Sequence, residues 1–460
     1  MTEKAKIMQL NENELIQAIQ SGNISVCVVG IGRIGLPTAL SFADSGLPTI
    51  GVDINSKLVE TINSKNFPLK DEPGYDVIFD RVIHDKFHVS TKIEDVVPNS
   101  DVIVLSLPTP MDENNVPDYS ALLSVGKQLG NLLQKNSLVI VESTVEPGFI
   151  ENDLLQTIQN SEKNLVAGID FAIGVCPETA NPGQIMNDFE KLPRLVGGIN
   201  KKTSDTILKI YKHVFTVDLI PMANCKTANA VKLTTNVFRD LNIAFVNELA
   251  ILFEKVGIDI MQVLEAAKTK YNFQIHYAGP GVGGPCLPVN SYQMINLAKR
   301  MGFDSLQTVQ TGRRINESMP EHVINLLQDA FNESDKSVMN SNILVLGISY
   351  KPDVKDIQIT PAEIIIEKLK KLQTNVLIYD PYFKSTEIFG LQTESDLMEA
   401  LQKADALILV TAHKEFHNLD PIFLKSNMKT PILIDSKCII DQQAAKNAGF
   451  IYRGLGRGKI

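Results

Sequence analysis

The chain has 460 residues, of which 44% are hydrophobic and 21% are charged, a composition typical of a soluble protein too long for one hydrophobic core. Its net charge of −9 argues against nucleic acid as the main partner, because phosphate binding requires a basic surface. The five cysteines form no CxxC pair, which favours a reduced, cytoplasmic protein. The sequence also lacks a signal peptide and any run of about 18 apolar residues, so we expect no membrane partner.

Short apolar runs alternate with helical stretches in two regions of the chain. The runs of the first region cover residues 24–30, 47–53, 101–108, 137–144 and 170–178. Those of the second region cover residues 342–349, 375–381, 406–413 and 431–437. Continuous Val, Ile and Leu residues predict strands buried on both faces of a parallel sheet.

The segment between the two regions is helical in character. Residues 222–256 contain no Gly or Pro and predict one long helix. We therefore predict an α/β protein in which two Rossmann-like doubly wound domains are joined by a long-helix central domain. The predicted domain boundaries are 1–220, 221–330 and 331–460.

The first predicted strand runs into the sequence GIGRIG, which places Gly30, Gly32 and Gly35 at GxGxxG spacing. Glycines at this spacing allow a tight turn, close approach to a pyrophosphate and close packing of a helix on the strand. The second predicted strand ends at Asp53, where a carboxylate suits ribose hydroxyls and repels a 2′-phosphate. The pattern therefore predicts binding of NAD rather than NADP.

Polar side chains occur where apolar neighbours would be expected. Glu178 follows the fifth predicted strand, and Lys232 and Asn236 lie four residues apart on one face of the long helix. Inside an apolar helix these two side chains are costly unless they are paired or face a polar site. From these residues alone, a lysine that reaches solvent and an asparagine bonded across helices are the favoured interpretation.

A loop rich in glycine and proline, GPGVGGPCLPVN at 279–290, surrounds a single cysteine, Cys286. The loop is either a turn that happens to contain a cysteine or a rigid segment that presents a nucleophile. The other four cysteines lie in or near predicted strands or on a helix and are expected in the core. Two histidine pairs, His84/His88 and His413/His417, have metal-ligand spacing but no accompanying acidic cluster, so we predict no metal site.

In their order and spacing, these segments resemble the nucleotide-sugar 6-dehydrogenases of the UDP-glucose and UDP-N-acetylhexosamine type. The resemblance covers nearly the whole chain and rests on VVGIGRIGLP, PTP.D....PD.S (108–120), EST..PG (142–148), K-x-x-x-N with FRD.NIA..NE, GPGVGGPC, and YKPDV.D (350–356).

The resemblance implies that a primary alcohol of a UDP-sugar is oxidised twice at one carbon. Cys286 would add to the intermediate aldehyde, giving a thiohemiacetal that is oxidised to a thioester and then hydrolysed. Lys232 and Asn236 would stabilise the developing oxyanion. Glu178 would handle protons through water, and Thr144 would position that water.

The resemblance also implies two binding sites. The residues that would bind NAD are Gly30, Gly32, Ile34, Gly35, Asp53, Pro108, Thr109 and Thr144. The residues that would bind the UDP-sugar are Arg239, His276, Gly281, Gly283 and Lys351. We expect the glycines beside Cys286 to let the sugar lie against the backbone, and we expect a homodimer that serves polysaccharide biosynthesis.

This chain departs from the family pattern at four positions. Asn290 stands where the family usually has Asp, and an amide can orient water but cannot accept a proton. Thioester hydrolysis would therefore rest more on Glu178. Thr179 and Gln358 each replace an expected arginine, and Pro285 replaces the histidine of a GGHC sequence.

The sequence leaves several functions open. Arg239 and Asp240 with the following NIA resemble the N-acetylhexosamine branch, whereas the UDP-glucose branch typically has FLATKIS there. By resemblance alone the favoured substrate is UDP-N-acetyl-D-mannosamine, with UDP-N-acetylglucosamine and UDP-glucose as alternatives. The other candidates are a one-step NAD-dependent hydroxyacid dehydrogenase and a non-catalytic nucleotide-sugar-binding protein, the latter suggested by Asn290 and Gln358.

Overall fold

The computed structural model describes residues 6–303 and 305–458, which divide into two compact units. The first unit holds the described residues of 1–235 and 292–301, and the second holds those of 236–291 and 302–460. Each unit contains one main parallel sheet with helices around it, as predicted for a doubly wound α/β fold.

The sheet of the first unit has eight strands: β1 (Val26–Val29), β2 (Thr49–Val52), β3 (Phe87–Ser90), β4 (Val102–Leu105), β5 (Leu138–Val141), β6 (Ala172–Val175), β7 (Arg194–Gly198) and β8 (Leu219–Pro221). Their order is β3-β2-β1-β4-β5-β6-β7-β8, and only β6 and β7 pair antiparallel. The order reverses between β1 and β4, which is where doubly wound sheets bind their ligands.

Nine helices lie within the described part of the first unit: α1 (Glu12–Gln20), α2 (Gly35–Asp44), α3 (Ser56–Asn63), α4 (Tyr75–Val82), α5 (Ile93–Val96), α6 (Ser120–Leu132), α7 (Leu155–Gln159), α8 (Ile185–Lys191) and α9 (Lys201–Val214). Strands β1, β4, β5 and β6 are buried along their whole length, so apolar side chains on both faces pack against helices. Two hydrophobic clusters form, one on each side of the sheet.

The remaining helices are α10 (Cys225–Val256), α11 (Ile260–Ala267), α12 (Leu287–Arg300), α13 (Gln307–Glu333), α14 (Pro361–Lys371), α15 (Leu397–Lys403), α16 (Pro421–Asn427) and α17 (Gln442–Asn447). The long helix predicted over 222–256 is confirmed as α10, at roughly 48 Å for its 32 residues. It begins three residues later than predicted, because the Asn224 side chain accepts from the backbone N–H of Thr227 at 2.9 Å and caps the first turn.

The sheet of the second unit has five parallel strands in the order β10-β9-β13-β14-β15. With the small antiparallel pair formed by β11 and β12, its strands are β9 (Asn342–Leu346), β10 (Asn375–Tyr379), β11 (Glu387–Ile388), β12 (Leu391–Gln392), β13 (Ala406–Leu409), β14 (Ile432–Asp435) and β15 (Ile451–Gly454). Every apolar run predicted as a strand contains one, so the predicted fold is confirmed in both regions.

Four strands of the two main sheets were not predicted. They are β3, β7, β8 and β15. Each carries a polar or proline residue within a short span, as in FHVS, RLVGG, LIP and IYRG. Pairing with an already formed sheet, rather than an apolar run, determines these strands. Across 6–303 and 305–458, every helix is too short or too polar to cross a membrane.

Candidate active site

The loop between β1 and α2 has the geometry of a dinucleotide-binding turn. Gly30 has φ of +87°, and a Cβ atom there would lie 2.5 Å from the carbonyl oxygen of Ser106. A Cβ atom on Gly35 would overlap the carbonyl oxygen of Gly30. At Gly32, by contrast, no atom of the described residues other than its two chain neighbours lies within 4 Å of that position. The first and third glycines thus permit the turn, while the middle one leaves room for a ligand.

Asp53, just after β2, is half-buried and adjoins this loop. Its carboxylate accepts from the backbone N–H of Ile31 at 3.0 Å and from that of Asn55 at 2.9 Å. No side chain caps the start of α2, whose N-cap residue is Ile34, so the helix N-terminus can attract an anion. The chemistry of these residues fits NAD: Gly32 would leave room for the pyrophosphate, and Asp53 would accept from a ribose hydroxyl.

The carboxyl ends of β4 and β5 are tied together by hydrogen bonds. The Ser143 hydroxyl accepts from the Leu107 backbone N–H at 2.8 Å and donates to the carbonyl of the same residue at 2.8 Å. The Thr109 hydroxyl donates to the Thr144 carbonyl oxygen at 2.9 Å. The structure therefore brings Thr109 and Thr144, both predicted cofactor residues, together after neighbouring strands, with Pro108 directly before Thr109.

Glu178 lies in a buried cluster of charged side chains after β6. One oxygen, Oε1, accepts the backbone N–H groups of Thr179 and Ala180, and the other, Oε2, lies 3.2 Å from Nη1 of Arg194. The same Nη1 is 3.7 Å from Oε1 of Glu142. Burial raises the pKa of the Glu142 carboxyl to about 7, although Arg194 acts in the opposite direction.

Lys232 and Asn236 lie on α10 as predicted, with Lys232 buried and Asn236 half-buried. Asn229, one turn earlier on the same face, is also buried, and neither of its amide atoms has a hydrogen-bond partner in the described chain. This face of α10 is therefore polar although it is shielded from solvent.

Cys286 is exposed and directly precedes α12, with its carbonyl oxygen accepting from the Asn290 backbone N–H at 2.9 Å. The first turn of a helix leaves backbone N–H groups without partners inside the helix, and Cys286 directly precedes that turn of α12. The side chain of Asn290 is buried, and its Oδ1 accepts from Nδ2 of Asn236 at 2.5 Å. The structure thus joins three predicted catalytic residues through the start of one helix.

The remaining cysteines differ from Cys286 in their burial. Cys27, Cys176 and Cys225 are buried, and burial raises the pKa of each thiol to about 12. Cys438 is half-buried and its pKa is also raised by burial. Burial therefore disfavours thiolate chemistry at these four cysteines, whereas Cys286 is exposed.

The glycines before Cys286 pack closely against other residues of the chain. Cβ atoms on Gly283 and Gly284 would collide with the Ile359 carbonyl and the Tyr350 ring. One on Gly281 would lie 3.1 Å from Pro361. Because these glycines lack side chains, the loop packs closely on the segment after β9. Gly281 and Gly283 offer a sugar their backbone groups.

The segment after β9 carries Lys351, which is half-buried. The backbone N–H of Tyr350 donates to the Asp356 carbonyl at 3.0 Å and closes the turn, and Gln358 accepts from the Gly284 N–H at 3.0 Å through its carbonyl. The side chain that replaces the expected arginine is exposed, and the hydrogen bond from the Cys286 loop goes to the Gln358 backbone.

The neighbouring residues Arg239 and Asp240 on α10 differ in exposure. Arg239 is exposed, whereas Asp240 is buried and pairs with Arg313 at 2.9 Å. Asp240 therefore holds helices α10 and α13 together. His276 is half-buried, and its ring packs edge-to-face on Phe238, with centroids 6.4 Å apart, next to Arg239 in the chain.

Sequence reasoning missed two basic residues close to predicted site residues. Arg194 contacts Glu178, and a Cβ atom on Gly279 would lie 2.7 Å from Nζ of Lys437. Arg194 begins a strand that was not predicted, and Lys437 follows β14 without a motif of its own. Within the described ranges, no group of three or more His, Cys, Asp or Glu residues could hold a metal ion.

The fold and the Gly30 to Gly35 loop define an NAD-binding doubly wound α/β protein. Models of the UDP-glucose/GDP-mannose dehydrogenase family match three successive segments of the chain: the NAD binding domain at 24–215, the central domain at 226–318 and the UDP binding domain at 344–442. The chain therefore belongs to this family and is an NAD-dependent oxidoreductase, which confirms the resemblance drawn from the motifs.

Similarity to individual relatives extends over nearly the full length. The chain is 33% identical to the UDP-N-acetyl-D-mannosamine dehydrogenase of Pyrococcus horikoshii, covering 95% of this chain and 100% of that protein. It is 32% identical to the enzyme of the same name from Campylobacter jejuni, covering 85% and 96%. The solved structure of the Pyrococcus horikoshii dehydrogenase matches with a TM-score of 0.88 at 32% identity, covering 95% and 100%.

Proposed function

We propose that this enzyme oxidises the C6 alcohol of UDP-N-acetyl-D-mannosamine to the carboxylate. The observation that carries the proposal is the full-length similarity to UDP-N-acetyl-D-mannosamine dehydrogenases, at 33% identity over 436 residues for one of them. In the balanced reaction, one alcohol, two NAD⁺ and one water give one carboxylate, two NADH and three protons. NAD supplies the acceptor for the hydride that leaves the carbon in each oxidation.

The residues of α10 act first. Lys232 and Asn236 place donors at the sugar oxygen that becomes negative when the alcohol loses its proton, and fixed donors in a shielded site stabilise such charge strongly. Burial of Lys232 supports this role, because its ammonium is held among protein groups rather than in bulk water.

Cys286 then acts on the aldehyde. Its thiolate attacks the carbonyl carbon, a C–S bond forms, and the carbonyl oxygen takes a proton to give the thiohemiacetal, whose oxidation leaves a thioester. Water adds to the thioester, the C–S bond breaks, and the thiol is released with the carboxylate. Glu178 takes the proton of that water, Thr144 orients the water, and Asn290 positions Asn236 through their hydrogen bond.

The test of this mechanism is the product balance of Cys286 variants. We expect wild-type enzyme to form two NADH and one uronic acid per UDP-N-acetyl-D-mannosamine. Cys286→Ala should bind NAD normally but lose acid formation by about a thousandfold or more, because no thioester can form. Cys286→Ser provides the size-matched variant. Acid formation by Cys286→Ala near the wild-type rate would overturn the covalent mechanism.

Recognition of the N-acetyl group is tested with a panel of UDP-sugars. An amide left unpaired on burial costs about 1–3 kcal/mol, or roughly tenfold to a hundredfold in kcat/KM. We expect higher kcat/KM for UDP-N-acetyl-D-mannosamine than for UDP-N-acetylglucosamine or UDP-glucose. Arg239→Ala should narrow the gap to UDP-glucose if the exposed Arg239 binds the acetamido group. Equal or better kcat/KM with UDP-glucose would contradict the substrate assignment.

An apolar stripe on α10 supports assembly of two copies. Phe238, Phe245 and Leu252 recur every seven residues and are 50%, 51% and 51% exposed, as in a helix that packs against a partner helix. We assign this stripe to a homodimer interface. Light scattering should show a dimer for wild type and a monomer for Phe245→Glu. A wild-type monomer at micromolar concentration would contradict the assignment.

Three further assignments complete the proposal. The domains correspond to residues 1–220 for NAD, 221–330 for the central helices and 331–460 for the UDP-sugar. The enzyme works in the cytoplasm, which the five free cysteines favour, and its uronic acid product suits polysaccharide biosynthesis. Limited proteolysis should cut in the loops that follow β8 and α13, which contain exposed residues, and cell fractionation should recover the activity in the cytoplasmic fraction.

A further inference from the structure

We propose that Arg194 is a positioning residue that holds the Glu178 carboxylate in place for hydrolysis of the Cys286 thioester. This inference rests on the proposed function, in which Glu178 takes the proton of the attacking water. It assigns a specific catalytic consequence to a residue that lies outside every motif of the chain.

The guanidinium of Arg194 is positioned between two carboxylates. Its side chain is 3% exposed at the start of β7, and its Nη1 lies 3.2 Å from Glu178 and 3.7 Å from Glu142. Glu178 is the outer of the two acids, because it is 9% exposed while the Glu142 side chain is fully buried. A single cation therefore serves the acid assigned to catalysis and a structural acid beneath it.

Two aromatic rings fix the guanidinium itself. Its carbon lies 4.2 Å from the ring centroid of Phe189 and 3.9 Å from that of Phe215. A planar guanidinium stacked in this way cannot follow a carboxylate that rotates, so Arg194 acts as a rigid anchor.

The contacts of Glu178 divide between its two oxygens. Oε1 accepts from the Thr179 and Ala180 backbone N–H groups, and Oε2 faces Arg194. The backbone contacts alone leave the carboxylate free to turn about them. The ion pair at Oε2, whose two atoms are 3.2 Å apart without a hydrogen bond between them, is the contact that can restrain this turning.

Glu142 completes the arrangement. Its two oxygens accept from the Tyr211 hydroxyl at 2.9 Å and from the Thr38 hydroxyl at 3.0 Å, so its side chain is held independently of Arg194. Glu142→Gln therefore retains the shape of the cluster and removes its second ionisable carboxyl. In this variant, Arg194 keeps its ion pair with Glu178 and loses the one with Glu142.

The decisive experiment follows the acyl-enzyme by intact-protein mass spectrometry. Arg194→Met leaves two buried carboxylates without a cation and can fail to fold, so the double variant Arg194→Met/Glu142→Gln is tested beside it. Glu142→Gln is the matched control, and Arg194→Lys tests rescue by charge. Circular dichroism confirms the fold of each protein before assay.

In the double variant we expect kcat to fall about a hundredfold, with both KM values within about threefold of wild type. The burst of NADH should remain, followed by accumulation of the Cys286 adduct. Glu142→Gln should show neither effect. Arg194→Lys should have a kcat about tenfold higher than that of the double variant. A uniform loss of rate without adduct, or no loss at all, would overturn the inference.

The proposed function fails in a different way. If wild-type enzyme forms no acid, or if acid formation survives Cys286→Ala, the thioester itself is absent and the mechanism is wrong at its first covalent step. If the wild type forms acid through Cys286 and only the Arg194 variants behave unexpectedly, the reaction stands and the role of Arg194 is wrong.

Discussion

Each of the two main sheets has an aspartate after a strand, β2 in one and β10 in the other, that accepts hydrogen bonds from backbone N–H groups. After β2, Asp53 accepts from the backbone N–H groups of Ile31 and Asn55, at 3.0 and 2.9 Å. After β10, Asp380 accepts from those of Ile348 and Tyr382, at 2.8 and 2.9 Å. In each sheet an acidic residue at the end of one strand thus fixes the turn that follows its neighbour.

The difference between the sheets lies in what else reaches the acid. His413 Nε2 lies 3.0 Å from Asp380, which is fully buried, whereas Asp53 is half-buried. The turn after β9 has Gly347 but neither of the other two glycines of the first loop. Both sheets therefore share an acid that fixes a neighbouring turn, and this arrangement does not determine the ligand. We call the arrangement at Asp53, where glycines leave room for NAD, the open frame. We call the arrangement at Asp380, where His413 contacts the acid, the closed frame or second frame.

The largest expected effect is a loss of NAD affinity when the glycines of the open frame are replaced. Gly32→Ala adds a methyl group where no atom of the described residues other than the two chain neighbours of Gly32 lies within 4 Å, so the folded protein should keep its melting temperature while NAD affinity falls about a hundredfold. Gly35→Ala should lose both stability and NAD binding, because its Cβ overlaps the Gly30 carbonyl. Isothermal titration with NAD and thermal melts distinguish them. Unchanged NAD affinity in Gly32→Ala would contradict the placement of the pyrophosphate.

Replacing each of the two aspartates by asparagine should separate the effect on NAD binding from the effect on stability. Asp380→Asn forces an amide N–H towards backbone donors in a buried site, and we expect it to cost about 3 kcal/mol of unfolding free energy without changing NAD affinity. Asp53→Asn, its counterpart, should cost less stability and weaken NAD about tenfold. Urea unfolding and NAD titration of both variants test the comparison. An NAD defect in Asp380→Asn would show that the second frame also reaches the cofactor.

Acid stability should depend on the closed frame. Although burial acts to raise it, the pKa of Asp380 is lowered overall by His413 and by backbone donors. A lowered folded-state pKa contributes stability that is present above the ordinary aspartate value and is lost as the pH falls through the lower, folded value. Urea unfolding between pH 5 and about 2 should show this loss in wild type and not in Asp380→Asn. Parallel pH profiles would contradict this role of Asp380.

The smallest expected effect concerns the loop that rests on the second frame. Gly284→Ala must hold φ of +88° and place a Cβ atom 2.6 Å from the Tyr350 ring, so we expect a loss of about 2 kcal/mol. Gly46→Ala, at φ of +94° with nothing within 4 Å, is the matched control and should lose about 1 kcal/mol. Equal losses in urea unfolding would mean that the ring contact contributes nothing.

The sequence predicted the parts of the fold that rest on local pattern. Apolar runs identified β1, β4 and β9, and the glycine spacing identified the NAD loop. The strand that begins at Arg194 was missed because the cost of burying an arginine is offset by its ion pairs. Its partners, Glu178 and Glu142, are distant in the chain. The role of Gly284 was likewise hidden, since its neighbour Tyr350 is adjacent only after folding.

The central claim is that one enzyme carries out both oxidations of a UDP-N-acetylhexosamine. Its most direct test is the amount of NADH formed for each UDP-N-acetyl-D-mannosamine consumed, with the product identified by mass spectrometry. The account predicts two NADH and the uronic acid. One NADH with an aldehyde or ketone product would indicate a one-step dehydrogenase, and no NADH would indicate a binding protein; either result would contradict the account.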